Sequence, residues 1–565
     1  MTEQPRLPLN RRQFFAATGL TALTLSLAAC SSGGTGATSG SGAPGGSGSS
    51  GSGTSGGSGS SGSAAASGGS GSAGGTAVMV IDADPPTLNP GLTTDYTTST
   101  NIAAKVFEGL VWLDPDGKPQ PELATSWEIS DDNLTYTFHL RKNVTWHDGK
   151  AFSAADVKWS YQTGLAQNSR AQGALTNIAS IDTPDDVTVV IKLSQPYAPF
   201  LNQMKVFDCP ILPQHVYGTG DITTNPANQA PIGTAPFKFD SWSHGSSVTL
   251  VAYPDHWDPK QPKLDKLIMS VITDPSQRTS ALTTGNADFI GAYYLATTDV
   301  PKLKQDSNIT VRTQSAIPAI DFMAMNEKTK FLDDVTVRQA LAMSIDRKRI
   351  VQQAVAGLAE EGKGSFGDGF KWMYDEADSY DKLYPLDPAK AKTMLADAGV
   401  PSGTTLRLAY YSQNAKFQAT AEIIKDNLKQ VGIEVTLSPM ETAVFKDTVY
   451  AKRDFDLALQ SFTSSGDPAI GYHRLYVSND TDAPNINATG YSNSEVDDLL
   501  SKAGAESDRA KRAEYYVQAQ KILNKDVPTL VLFDELQADA YSNRLHGLYA
   551  GLNPDGQWGK VSISA

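Results

Sequence analysis

The sequence predicts an α/β protein with two or three domains. The chain has 565 residues, too many for a single hydrophobic core. Between about residues 387 and 459, segments with apolar residues at helical spacing alternate with short strand-like segments, an order typical of a largely parallel sheet covered by helices. Segments 134–140 and 187–193 carry apolar residues at every second position, which predicts strands with one buried face.

The first 29 residues are predicted to be a signal peptide and not part of the fold. Arg11-Arg12 precede Phe14-Phe15 and an apolar run that is too short to span a membrane. The arginine pair resembles a twin-arginine signal, which would mean export in the folded state. An ordinary secretory signal that carries two arginines is the alternative.

Cys30 ends the sequence LAAC, which resembles a bacterial lipobox, so we expect this cysteine to be acylated and to tether the protein to the membrane. In the segment 30–75, the residues that follow Cys30 are almost wholly Gly, Ser, Ala and Thr. Such a stretch cannot build a core, and we expect a disordered linker that spans roughly 35–40 Å r.m.s.. Cys209 is left without a disulfide partner and is expected to be buried as a small apolar residue.

Composition and motifs argue against several functions. The net charge of −14 argues against nucleic acid as a partner. The 7 histidines are scattered without an HExxH motif or a close pair, so no metal site is predicted. No phosphate-binding loop or dinucleotide fingerprint is present. We therefore expect no enzymatic activity and no cofactor.

The middle of the chain gives the remaining local predictions. Ser153 with Asp156 three positions later forms a near capping box, which predicts a helix start. Another helix is expected after Asp387-Pro388 and should end before Gly399. Strand 404–411, a helix from Lys416 to Val431 and strands near 433–437 and 455–459 follow in order.

The stretch from Pro121 to Val157 resembles the signature of one family, the peptide/nickel class of extracytoplasmic solute-binding proteins (solute-binding family 5). These are the capture subunits of ABC importers and are related to dipeptide- and oligopeptide-binding proteins. The matching residues are Leu123-Ala124, Trp127, Tyr136-Thr137-Phe138-His139-Leu140-Arg141, His147-Asp148-Gly149 and Ala155-Asp156-Val157. A second match runs from Asn326 through Phe331-Leu332-Asp333-Asp334-Val335 and Val337-Arg338-Gln339-Ala340-Leu341 to Ile345-Asp346-Arg347.

The resemblance implies a periplasmic-binding-protein-like fold of type II in its large three-lobed form, with two α/β lobes around a ligand cleft plus an extra lobe. The implied boundaries are 76–107, 229–313 and 536–565 for lobe I, 108–228 for lobe II and 314–535 for lobe III. The hinge would lie at the chain crossings near 313 and 536.

The resemblance also implies a lipid-anchored substrate-binding subunit that captures a peptide or a similar small solute by cleft closure and delivers it to the membrane permease. The expected partners are this ligand, the ABC permease with its ATPase, and the membrane through Cys30. We expect a monomer outside the cytoplasm, anchored to the outer face of the bacterial cytoplasmic membrane. The alternatives are a ligand sensor or surface chaperone with the same fold, import of a non-peptide solute such as an oligosaccharide, and, last, a secreted hydrolase with no residues to nominate.

In relatives, three regions of the chain reach the ligand cleft. The opening loop suggests Asp95 and Tyr96 as ligand contacts, although an exposed polar loop is an equal alternative. Tyr293 and Tyr294 lie in a region that lines the cleft in relatives, and we expect one of them to stack on a ligand; a core position is the alternative. Trp372 lies in a loop that forms part of the pocket floor in relatives.

The turn after the strand near 455–459 supplies the last candidates, Phe462, Ser464 and Asp467. Relatives have a tryptophan at Phe462, and we expect Phe462→Ala to weaken ligand binding without unfolding the protein. Relatives also have an aspartate just before the Asp-Pro pair, which binds the peptide α-amino group, but positions 463–465 here carry no charge. Because a buried ammonium without a countercharge is costly, ordinary dipeptide binding is in doubt. The nearby Arg474, His473 and Tyr476 favour a hydroxyl-rich or anionic ligand.

Overall fold

The computed structural model describes residues 74–95, 97–314, 318–367, 369–464, 466–479, 486–551 and 556–564. The predicted signal peptide, Cys30, almost all of the predicted linker and Tyr96 lie outside the described residues.

The strands of the described part belong to three larger sheets and two small ones. In chain order they are β1 (Thr76–Ile81), β2 (Val111–Leu113), β3 (Pro119–Pro121), β4 (Ala124–Ile129), β5 (Thr135–Leu140), β6 (Ile178–Asp185), β7 (Thr188–Leu193), β8 (Phe237–Ser243), β9 (Ser247–Ala252), β10 (Lys266–Val271), β11 (Phe289–Ile290), β12 (Ile309–Gln314), β13 (Ala319–Met325), β14 (Ala359–Glu361), β15 (Thr404–Tyr411), β16 (Ile433–Met440), β17 (Leu457–Thr463), β18 (Thr529–Glu535), β19 (Gln537–Ser542), β20 (Leu545–His546) and β21 (Ser562–Ile563).

The helices range from single turns to five turns. In chain order they are α1 (Ala103–Val106), α2 (Ala154–Trp159), α3 (Ser169–Leu175), α4 (Phe200–Gln203), α5 (Gln214–Tyr217), α6 (Pro275–Thr283), α7 (Val300–Leu303), α8 (Val335–Ser344), α9 (Arg347–Ala354), α10 (Tyr380–Leu383), α11 (Pro388–Asp397), α12 (Ala415–Gln430), α13 (Thr442–Lys446), α14 (Pro468–Gly471), α15 (His473–Tyr476), α16 (Ser494–Ala505) and α17 (Arg509–Asp526). Short π-helical turns lie at Thr97–Ile102, Ser160–Gly164 and Asp447–Ala451, and 3₁₀ turns at Ile222–Thr224, Pro226–Asn228, Thr297–Asp299, Lys371–Met373 and Glu376–Asp378.

Lobe I is built on the seven-stranded sheet, in the order β12-β19-β11-β1-β10-β9-β8. Its strands β10, β1 and β11 are parallel, so their C-terminal ends lie at one edge of the sheet. Strand β19 is antiparallel to β11, so β19 begins at this edge with Gln537. Strand β12 is antiparallel to β19 and ends at the same edge, where Gln314 pairs with Gln537. The chain therefore leaves lobe I and returns to it at the edge where β1 and β11 end.

Lobe III is built on the six-stranded sheet, in the order β14-β18-β13-β17-β15-β16. Strands β15, β16 and β17 are parallel, and β13 is antiparallel to both β17 and β18. Ala319 pairs with Thr463, so the chain enters lobe III at the C-terminal edge of β17, and it leaves from Glu535 at that edge. The two chain crossings thus join the C-terminal edges of the two sheets, which is where open α/β sheets bind ligands.

Lobe II is built on an antiparallel sheet in the order β4-β5-β7-β6. The predicted strand with one buried face is β5, in which Tyr136, Phe138 and Leu140 are buried. The predicted helix start is also present, since Ser153 and Asp156 form a capping box at the start of α2. Cys209 is buried and free, as expected. The boundaries between the lobes stay a prediction.

The hydrophobic interior is divided at the chain crossings. One cluster of buried apolar residues joins lobes I and II, from Ala77 to Ile309 and again from Ala538 to Ile563. A second cluster, from Ile320 to Phe533, is confined to lobe III. Lobes I and II therefore share one hydrophobic core, and lobe III has a core of its own.

Candidate functional site

The candidate site, called the cleft below, is the region where the chain crossings join the C-terminal edges of the two sheets. Lobe I contributes the segments after β1 and β11, and lobe III contributes the end of β17, the start of β13 and the first turn of α12. In a parallel strand–helix arrangement these segments carry the side chains that can face a ligand without disturbing the core.

The two tyrosines after β11 occupy different environments. Tyr294 is 1% exposed, and its hydroxyl lies 2.8 Å from Thr97 Oγ1 and accepts from Asn101 Nδ2 at 2.6 Å. Tyr293 is 64% exposed and packs edge-on against Tyr294, with ring centroids 5.5 Å apart. Tyr294 therefore supports the edge from inside, and Tyr293 is the aromatic that can contact a ligand. This contact stays a prediction.

Asp95 ends an exposed loop that is tied to lobe II. Its Oδ1 accepts the backbone N–H of Thr98 at 3.1 Å and so caps the turn that follows. Asn168 of lobe II donates to the carbonyl of Pro90 at 2.7 Å. The geometry assigns Asp95 a capping role, and its contact with a ligand stays a prediction.

Phe462 lies near the C-terminal end of β17, and its side chain is part of the core of lobe III. It is 4% exposed and packs against Phe322, with ring centroids 5.6 Å apart. The guanidinium carbon of Arg474 lies 4.5 Å from the Phe462 ring centroid. The ring can therefore support a ligand-binding group, but it is also part of the core.

The burial of Phe462 changes the expected effect of the alanine variant. Deleting a buried phenylalanine ring costs about 3–5 kcal/mol, so Phe462→Ala is expected to lower the melting temperature as well as the affinity. Phe462→Leu keeps most of the volume and should cost under about 1.5 kcal/mol, while it removes the aromatic face below Arg474. Thermal unfolding and ligand titration of both variants separate the two effects. Equal melting temperatures for Phe462→Ala and the wild type would contradict the core role.

Ser464 and Asp467 hold the turn after β17. Ser464 is fully buried, its N–H donates to the carbonyl of Pro318 at 2.8 Å, and its hydroxyl accepts the N–H of Gly466 at 3.2 Å. Asp467 is 3% exposed, caps α14 and accepts two hydrogen bonds from Arg512, at 2.7 and 2.5 Å. Both side chains thus have structural partners, and ligand contacts from them stay a prediction.

Trp372 lines a cavity of about 640 Å³ between lobes II and III. Arg509 lies over its ring at 5.1 Å, and Tyr516 packs against its edge. Ile129 and Leu201 line the cavity from the lobe II side. Pro318 and Asp467 also line this cavity, so it reaches the turn after β17 at the C-terminal edge of the lobe III sheet. A ligand that is longer than the cleft could reach Trp372 through it.

A charged cluster at the start of β13 was not predicted from the sequence. Lys416 Nζ lies 2.8 Å from Asp321 Oδ1 and also contacts Glu535. Burial raises the pKa of Asp321 well above its usual range, with Lys416 opposing and Glu535 reinforcing the shift. Burial alone would lower the pKa of Lys416, but the two carboxylates outweigh it and raise it. One signal was available, since Asp321 interrupts the otherwise apolar strand AIDFMAM.

Comparisons with known proteins agree with this architecture. The family model described as "Bacterial extracellular solute-binding proteins, family 5 Middle" matches residues 118–483. The glutathione-binding protein GsiB of Escherichia coli K12 is 29% identical over 480 residues, which cover 84% of this chain and 91% of the relative. HbpA2 from Haemophilus parasuis superposes with a TM-score of 0.77 at 26% identity, over 87% of this chain and 100% of that chain.

A second solved structure, DppA from Helicobacter pylori in complex with the peptide STSA, superposes with a TM-score of 0.67 at 27% identity, over 87% of this chain and 98% of that chain. The matches confirm the resemblance and the fold class that the sequence predicts. Within the described residues, every helix is too short or too polar to cross a membrane.

Proposed function

Because the chain belongs to family 5 of the bacterial extracellular solute-binding proteins, we propose that it is the substrate-binding subunit of an ABC importer. It binds a peptide or a similar small solute between lobes I and III and delivers it to the membrane permease and its ATPase. The observation that carries this proposal is the junction of two C-terminal sheet edges by two chain crossings, with a separate hydrophobic core on each side.

Closure follows from this division of the core. A solute that contacts both edges binds the closed arrangement better than the open one and so shifts the population toward it. We place the hinge at the chain crossings near 313 and 536, because they connect two separate hydrophobic cores. The relative GsiB is named for glutathione and the neighbour DppA holds a peptide, which supports peptide-like solutes as the class.

The capture of a solute is tested on the mature protein, purified without denaturation. Native mass spectrometry before and after mild unfolding should release a small molecule of defined mass. Small-angle scattering with that molecule added back should show a smaller radius of gyration, because the lobes close. A ligand that is chemically converted would favour the hydrolase alternative. An empty protein that also fails to bind glutathione or Ser-Thr-Ser-Ala would overturn the proposal.

We also propose that acylation of Cys30 holds the protein, as a monomer, at the outer face of the cytoplasmic membrane. The LAAC sequence and the Gly/Ser-rich segment after it support this proposal. A single acyl chain gives marginal binding, so a lipoprotein-type anchor with more than one chain is needed for stable attachment.

Membrane attachment through Cys30 can be tested by cell fractionation. Cys30→Ser is expected to move the protein from the membrane fraction to the soluble extracytoplasmic fraction, because the acylated sulfur is lost. Cys209→Ser is the matched control and should stay in the membrane fraction, since Cys209 is fully buried in the fold. Immunoblots of both fractions check the result. A Cys30→Ser protein that remained in the membrane fraction would contradict the anchor.

A further inference from the structure

Arg474 is a cation without an acidic partner at the end of β17. It lies in α15, and its Nε donates to the carbonyl of Gly471 at 3.0 Å. Among the described residues no carboxylate forms an ion pair with it, and the nearby acid Asp467 is already paired with Arg512. Arg474 is exposed to solvent, and the partial burial of its guanidinium lowers its pKa.

Arg474 packs on the face of β17 that carries Phe462 and Gln460. Its guanidinium lies over the Phe462 ring at 4.5 Å, which fixes the plane of its donors. Two residues back on the same face of β17, Gln460 is 2% exposed and its Nε2 has no acceptor, while its Oε1 accepts from Tyr450 at 2.6 Å. A buried N–H group without an acceptor is costly, and here it lies on the same face of the strand as the unpaired guanidinium.

The charge at this edge is the reverse of the charge that a peptide amine needs. Positions 463–465 are Thr-Ser-Ser and carry no carboxylate, while Arg474 places a positive charge against β17. A ligand ammonium here would be repelled by the guanidinium of Arg474. We propose that Arg474, supported by Phe462, binds a carboxylate of the captured solute. The inference rests on the proposed function and names the chemical class of its ligand, an anionic peptide-like solute.

The test titrates four probes by calorimetry: glutathione, glutathione diethyl ester, Ser-Thr-Ser-Ala and its C-terminal amide. We expect the wild type to bind at least one free acid, and Arg474→Gln to weaken that binding by tenfold or more. Arg474→Lys should recover part of the affinity, because it restores the charge without the planar pair of donors. The ester or amide should bind the wild type more weakly, and Arg474→Gln should not weaken it further.

The controls separate this inference from the proposed function. Arg349→Gln removes a half-buried arginine of lobe III that pairs with the exposed Asp426, and it should bind the free acid like the wild type. Melting temperatures show that the variants fold. If a free acid binds the wild type and Arg474→Gln equally well, this inference is wrong and the proposed function stands. If the wild type binds none of the free acids, this inference is overturned, and the proposed function falls with it only when the purified protein also carries no small molecule.

Discussion

Replacing Lys416 with methionine is expected to destabilise lobe III by about 3–5 kcal/mol at neutral pH. The ammonium group lies 2.8 Å from Asp321 Oδ1 and also contacts Glu535. Asp321 is 1% exposed, so the variant leaves two neighbouring acidic groups without a cation, and Asp321 must either stay protonated or bear an uncompensated buried charge. Urea unfolding, followed by amide exchange in β13 and β17, reports the stability of this lobe separately from that of lobes I and II.

The pH dependence of this loss has a defined sign. Burial raises the native pKa of Asp321 above its usual value of 3.8, so the folded state binds more protons than the unfolded state above that pH. The stability that Asp321 contributes is therefore present at low pH and is lost as pH rises through its native pKa. Without Lys416 that pKa rises further, and the deficit of the variant should grow from mildly acidic to neutral pH.

Lys452→Met is the matched control for the loss of a lysine ion pair. Lys452 is 65% exposed and its partner Asp447 is 52% exposed, so water solvates both groups in the variant. The expected loss of stability is small, because an exposed ion pair contributes little. A similarly small cost for Lys416→Met, or a cost that does not change with pH, would show that Lys416 does not offset the burial of Asp321.

Local patterns predicted the elements of the fold because neighbouring residues determine them. In segment 134–140 apolar and polar residues alternate because only one face of the strand is buried. The capping box at Ser153 needs only two residues that are three positions apart. The helix that begins near Lys416 was recognised for the same reason, since its apolar stripe and its stop at Gly432 are local.

The chemistry at the cleft could not be predicted in the same way, because its partners are distant in sequence. Asp467 looked like a candidate ligand contact, but it pairs with Arg512, which lies 45 residues away. The cluster of Asp321, Lys416 and Glu535 joins three separate elements and exists only once the sheet is formed. The resemblance to the family could point to the turn after β17 but could not show which of its side chains are occupied by structural partners.

Two histidines lie where only the neutral ring is accommodated. His147 accepts the N–H of Gly233 at Nδ1 and donates from Nε2 to the carbonyl of Ala235, and burial lowers its pKa from 6.5 to about 4. His473 lies 2.8 Å from the Tyr516 hydroxyl, and burial together with Arg512 lowers its pKa to about 3. Below about pH 6.5 the unfolded chain binds more protons at these positions than the folded protein, so stability falls as the solution is acidified.

His473→Gln is therefore expected to make the protein less sensitive to acid. One pKa unit corresponds to about 1.4 kcal/mol, so by about pH 4 the native His473 costs the wild type roughly 3 kcal/mol that the variant does not lose. The measured quantity is the difference in unfolding free energy between variant and wild type from neutral pH to pH 4, in which the contributions of all other groups cancel. His139→Gln is the control, because this side chain is 43% exposed and its replacement removes no buried site. A constant difference for His473→Gln over this range would mean that the buried ring accepts a proton in the folded state.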